Sequence, residues 1–160
     1  MGNAIKNFLF GGAGATTRFG DFGLLIQRLG FGLAISIGHG WGKVYRDGSV
    51  GMSDQFLDGV KKMEIPAPTA AAWMAALTEL VGGILLAAGL LTRPVAIALV
   101  FNMGVAAFVA HKDAPLFSQG GPNKEYALLF FVAFLTFVFT GAGRFSLDKF
   151  FRKTSAAAKA

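Results

Sequence analysis

Long apolar runs alternating with short polar segments organise this chain. A membrane-spanning helix needs about 20 mostly apolar residues, and four stretches approach that: 22–41, 70–91, 94–110 and 125–140. The first is interrupted by Gln27, Arg28 and His39, the second by Thr78 and Glu79, the third by Asn102, and the fourth by Thr136. Pro94 suits the first turn of its helix, where a missing N–H costs nothing. The turn Leu91-Thr92-Arg93-Pro94 is so short that the second and third helices must be antiparallel neighbours. The pattern therefore predicts an all-α fold: an integral membrane four-helix bundle with both termini on one side.

Three further segments fall outside the spans. The long loop over residues 42–69 carries a short amphipathic helix in the first outer loop, with Ser53 as a candidate cap. Phe56, Leu57, Val60 and Met63 share one face of it, opposite Asp58, Lys61 and Lys62. This helix either covers apolar helix ends or acts as a lid. Residues 1–20 read as a segment lying on the membrane surface, because the run Phe8-Leu9-Phe10 dissolves into Gly and Ala. Residues 144–160 alternate aromatic and basic side chains, as an interfacial anchor or a docking site for a soluble partner does. The transmembrane domain is thus 21–143.

Composition agrees with this reading. Charged residues make up 15% of the chain, where a soluble domain carries about 25%. Phe, at 17, and Gly, at 22, are abundant, and Gly is commoner in membrane helices than in soluble ones. The net charge of +6 is spread over the short segments between apolar runs. That serves topology and anionic lipid, not nucleic acid. Basic residues favour the side holding the termini, which points to cytoplasmic termini. The chain has no cysteine, which excludes disulfides, thiolate catalysis and Cys-ligated metal clusters. Redox chemistry here needs a bound cofactor or a partner.

Ionisable groups at bilayer depth cost about 2.5–3.5 kcal/mol each on insertion scales, so each calls for a reason. With a rise of about 1.5 Å per residue, Arg28 lies roughly 12 Å from one face and Glu79 roughly 14 Å from the other. Asn102 and Thr136 fall in the same layer. An Arg28–Glu79 ion pair is the expected arrangement, with Asn102 and Thr136 completing its hydrogen bonds. The layer either fixes helix register or marks a proton relay or ligand cavity. Arg28, Gly32, Ile35, His39 and Lys43 share a stripe of the first helix, and Gly30, Ala34 and Gly38 form a small-residue row beside it that permits close helix contact. His111, nine residues from Asn102, is out of phase on an ideal helix. A second polar set, His39, Lys43, His111 and Glu125, gathers at the outer boundary. These residues either reach headgroups and water or surround a polar head on an apolar tail, such as a quinone, with His as donor and Lys43 or Glu125 moving protons. Haem or metal ligation by the two His is a poor fit, since they share no short ligand spacing.

The chain resembles the DoxX family of small bacterial membrane proteins. The likeness runs through Arg28-Leu29-Gly30 to Gly38-His39-Gly40-Trp41-Gly42-Lys43, then Glu79-Leu80-Val81-Gly82-Gly83 to Gly89-Leu90-Leu91-Thr92-Arg93, then Asn102-Met103 with Ala106 and His111. It ends in Gly141-Ala142-Gly143-Arg144-Phe145-Ser146-Leu147-Asp148, similar to the family's Gly-Pro-Gly-Arg-Tyr-Ser-Leu-Asp signature. Ala142 and Phe145 replace the usual Pro and Tyr, and Lys62-Met63-Glu64-Ile65 stands where the family often has a Gly. The resemblance implies a four-helix membrane bundle and a link to redox chemistry, including subunits of quinone-reducing complexes. It carries over no catalytic residue.

Two functions therefore stand open. One is a redox-complex subunit that binds a quinone between its helices. The other is a non-catalytic accessory subunit, or a carrier of a small hydrophobic molecule. The expected partners are the lipid bilayer with other protein subunits or further copies of the chain.

Overall fold

The structure, a computed structural model, describes residues 17–46, 48–118 and 120–151, together with Ile5 and Leu9. Most of the expected surface segment at 1–20 and the far part of the tail at 144–160 lie outside the described residues. The first helix, α1, runs over Arg18–Val44, longer at both ends than its apolar run. Thr17 caps it by accepting the Gly20 N–H at 3.1 Å. A two-residue hairpin follows, β1 (Tyr45–Arg46) against β2 (Ser49–Val50), with Tyr45 opposite Val50. It is a small addition to the expected all-α fold. The loop helix α2 then covers Asp54–Lys61 and buries Val60.

Helix α3 spans Pro68–Ala88 and α4 spans Thr92–Ala110. Gly89 ends α3 in the left-handed region at φ 69°. Its N–H donates to Leu86 O at 3.0 Å and that of Leu90 to Leu85 O at 2.9 Å, a Schellman ending that turns the chain straight into α4. Helix α5 covers Glu125–Thr140. Helices α1, α3 and α4 are long and apolar enough to cross a membrane. Helix α5 is as apolar but has 16 residues, about 24 Å, against a hydrocarbon core of about 30 Å.

In the bundle α3 packs between α1 and α4, and α4 packs along α5. The ring of Phe31 meets Phe130 edge-on at 5.7 Å, which brings α1 against α5. Leu24, Ile35, Leu86, Leu99, Phe134 and Phe137 fill the centre. Large apolar side chains such as Phe19, Phe101, Val132 and Phe139 face outward, as expected where lipid surrounds the helices.

Glycine fixes the register of α1 on α3. A Cβ on Gly83 would lie 2.6 Å from Gly32 O, and one on Gly40 would lie 2.5 Å from Leu80 N. The close-contact row is therefore Gly32, Ser36 and Gly40, with Ser36 Oγ donating to Leu80 O at 2.8 Å. The expected row of Gly30, Ala34 and Gly38 is not the one used. Nothing lies within 4 Å of a Cβ on Gly30 or Gly38, because they occupy the outward side of the helix.

Candidate functional site: a polar-headed cavity

Glu79 sits in mid-helix on α3 and is buried. Its Oε2 accepts from Lys43 Nζ at 2.5 Å and its Oε1 accepts from Asn102 Nδ2 at 3.1 Å. One carboxylate thus ties α1, α3 and α4 together. The Lys43 ammonium also lies 4.4 Å from the Phe56 ring centroid on α2, a cation–π contact that docks the loop helix over the pair.

The expected Arg28–Glu79 pair does not form. Placing Gly32 on Gly83 and Ala87 sets Arg28 beside Leu86 and Ala87. That is about two turns, or roughly 11 Å, along α3 from Glu79. Lys43 enters from the opposite end of α1 and takes the place assigned to Arg28. Thr136 also stays out of the polar layer. Its hydroxyl donates to Val132 O at 3.2 Å, the local bond by which a Thr in a helix satisfies itself.

A cavity of about 270 Å³ opens beside the Lys43–Glu79 pair. It is lined by Lys43, Glu79, His39 and His111 together with apolar residues that include Ile35, Met103 and Phe130. The His39 ring stands edge-on to Phe130 at 5.5 Å. Both histidines owe their placement to widened helical turns. Residues Ala34–Gly40 of α1 and Ala106–Ala110 of α4 are π-helical, and the His111 N–H reaches back five residues to Ala106 O at 3.0 Å. Such turns shift the phase of the residues beyond them and recur at functional sites. An ideal-helix projection puts His111 out of phase with Asn102, whereas the π turn brings it to the cavity that Glu79 lines.

Glu125 does not line this cavity. Its Oε2 accepts the Ser118 N–H at 2.9 Å, and Asn123 Oδ1 accepts the Glu125 N–H at 3.0 Å, so it closes the α4–α5 loop. Among the described residues no group of three or more His, Asp or Glu is placed to hold a metal ion.

A separate polar cluster closes the other end of the bundle, and sequence reasoning missed it. Arg28 is fully buried. It donates to Leu86 O at 3.3 Å, Ala87 O at 3.1 Å and Phe145 O at 2.5 Å. Two of those carbonyls belong to the last turn of α3, where a cation also meets the negative end of the helix dipole. Asp148 accepts from Leu91 N at 2.8 Å and Thr92 N at 3.1 Å and so caps α4. Asp21 holds Arg144 through a 3.1 Å ion pair to its Nε. The backbone joins in, with the Asp148 N–H donating to Gly89 O at 2.8 Å. The segment 141–148, the turn at 89–92 and the start of α1 therefore form one clasp. Its signal was present in the sequence: the most patterned motifs flank a helix end and a helix start, where orphan backbone groups need partners.

No solved structure matches this chain. An uncharacterized protein of Haemophilus influenzae is 45% identical over 83 residues, which make up 50% of this chain and 62% of that protein. The chain thus spans less than two thirds of that relative. The DoxX family model matches residues 23–112, a stretch that contains Arg28, His39, Lys43, Glu79, Asn102 and His111. With its apolar helices and this match over more than half its length, the chain is a membrane protein and belongs to the DoxX family.

Proposed function

We propose that this protein is a membrane subunit of a redox complex and binds a quinone, or a similar lipid-soluble molecule with a polar head, in the cavity beside Lys43 and Glu79. The observation that carries the reading is a single cavity lined both by charged and imidazole groups and by large apolar side chains. A quinone carbonyl accepts hydrogen bonds from Lys43, His39 or His111, and its ring packs on Phe130 and Met103. Few precisely placed polar groups in an apolar pocket are the usual pattern of small-molecule sites. A charged pair at membrane depth is a functional signal in its own right. In this reading α5 is the fourth span, the bundle lies in a bacterial inner membrane, and both termini are cytoplasmic. Electrons come from a partner subunit, and homo-oligomers are a further form the complex can take.

The accessory-subunit reading draws on a different observation. The segment 141–148, which resembles the family's terminal signature, serves the clasp and not a cavity. A test separates the two. Trp41 lies on α1 two residues before Lys43, so a short-chain quinone analogue should quench its fluorescence saturably in the purified protein. His39→Ala should weaken that binding about tenfold without changing the fold. Absence of saturable quenching in the wild-type protein removes the quinone reading and favours the accessory role.

A further inference from the structure

A second cavity, of about 500 Å³, lies at the loop end of the bundle between α2 and the α4–α5 loop. Its lining is mixed, with the charged Lys62, Glu64, Lys112 and Asp113 beside apolar Met63 and Val109. The two cavities share only His111 and Pro122. Pro122 offers no side-chain polar atom, so His111 is the polar group common to both chambers.

His111 is also placed by a special backbone. It is the residue that ends the π-helical turn of α4, at φ −108° and ψ 28°. On the far wall Glu64 stands in the left-handed region at φ 56°, which costs a non-glycine residue about 1–2 kcal/mol. The turn joining α2 to α3 thus holds a carboxylate at the rim of the outer chamber despite a backbone penalty, a feature that clusters at functional sites.

We propose that the two cavities form one hydrated route from the loop-end solvent to the buried Glu79 carboxylate and its half-buried partner Lys43, with His111 as its constriction. Water and protons enter by this route, while an apolar ligand reaches the same inner chamber from the lipid. Imidazole suits this position because its two nitrogens can bond on both sides at once. The charged groups lining the two cavities that His111 borders are Lys62 and Glu64 from the turn after α2, Lys112 and Asp113 from its own loop, and Lys43 and Glu79 from α1 and α3, with His39 in the inner one. The proposal rests on the inner cavity being a ligand site, but its test does not need the ligand.

The chain has no cysteine, so single cysteines can be read without background. Ala106→Cys reports on the inner chamber and Met63→Cys on the outer one. Phe108→Cys, on the outward face of α4, is the lipid-side control. The probe is a small, negatively charged thiosulfonate applied to the purified protein in sealed vesicles. Labelling at Ala106→Cys should exceed that at Phe108→Cys. It should rise about tenfold when His111→Ala is added and fall about tenfold with His111→Trp, while Met63→Cys stays fast throughout. His111→Gln, which keeps size and polarity, should leave the rate within about twofold and guards against a folding artefact. Labelling at Ala106→Cys that ignores residue 111, or that needs a lipid-soluble reagent, overturns the route. A quinone analogue should protect Ala106→Cys but not Met63→Cys. Lack of protection with His111-dependent labelling intact refutes the quinone and leaves the route standing.

Discussion

Replacing Arg28 by Ala should unlock the clasp. The side chain is fully buried and donates to three carbonyls, at 2.5, 3.1 and 3.3 Å. A hydrogen bond from a charged donor contributes about 1.5–3 kcal/mol. The long bond to Leu86 O counts for little, since that carbonyl also accepts the Gly89 N–H. The bonds to Ala87 O and Phe145 O remain, and their loss comes to about 3–6 kcal/mol. A chain of this size loses about 2–4 °C of Tm per kcal/mol, so Tm should fall by about 6–24 °C. The assay is thermal unfolding in detergent, read as the surviving monodisperse peak on size exclusion after heating. Arg28→Lys keeps the charge but not the planar fork, and should recover about half of the loss. A Tm for Arg28→Ala within about 2 °C of wild type would refute the clasp. So would rescue of Arg28→Ala by Glu79→Gln, which would mean that Arg28 and Glu79 are paired after all.

Further outcomes follow from the same geometry. A double-mutant cycle on Lys43 and Glu79 should give a coupling of at least about 1 kcal/mol, while the cycle on Arg28 and Glu79 should be zero within about 0.5 kcal/mol; thermal denaturation of the four variants in each cycle decides. Gly83→Ala should prevent recovery of monodisperse protein because its Cβ would lie 2.6 Å from Gly32 O, whereas Gly30→Ala should behave as wild type on size exclusion. Glu64→Gly should raise stability by about 0.5–1 kcal/mol by relieving the left-handed backbone, measured as a small rise in Tm.

The apolar runs made the helices legible, because a membrane span is set by length and hydropathy alone. The loop helix was legible as well: an amphipathic repeat from Phe56 to Val60 needs only one covered face. Pairing between helices was not. Depth arithmetic from assumed span ends put Arg28 level with Glu79. The true offset depends on which small residues touch, and Gly32 and Gly40 are indistinguishable in sequence from Gly30 and Gly38. With Gly40 against Leu80 and Gly32 against Gly83, Arg28 sits about two turns, roughly 11 Å, along α3 from Glu79, and Lys43 is the partner of Glu79. The π-helical turns were equally hidden, since they arise from packing and not from local propensity, and they decide that His111 reaches the cavity. Glu125 was misplaced for a simpler reason: its nearest unsatisfied donor lies in its own loop, at Ser118. The family resemblance named residues and gave no roles. In the fold its motifs divide between the clasp, around Arg28 and Asp148, and the cavity, around Lys43, Glu79 and His111.

The central claim is that the chamber between His39, Glu79, His111 and Phe130 holds a lipid-soluble molecule. Mass spectrometry of small molecules that co-purify with gently solubilised protein tests it most directly, beside an Ala106→Phe variant that fills the chamber. The account predicts a quinone, or a similar polar-headed apolar molecule, near one per chain in the wild-type sample and lost in Ala106→Phe. Equal amounts in both samples, or none in either, would contradict it.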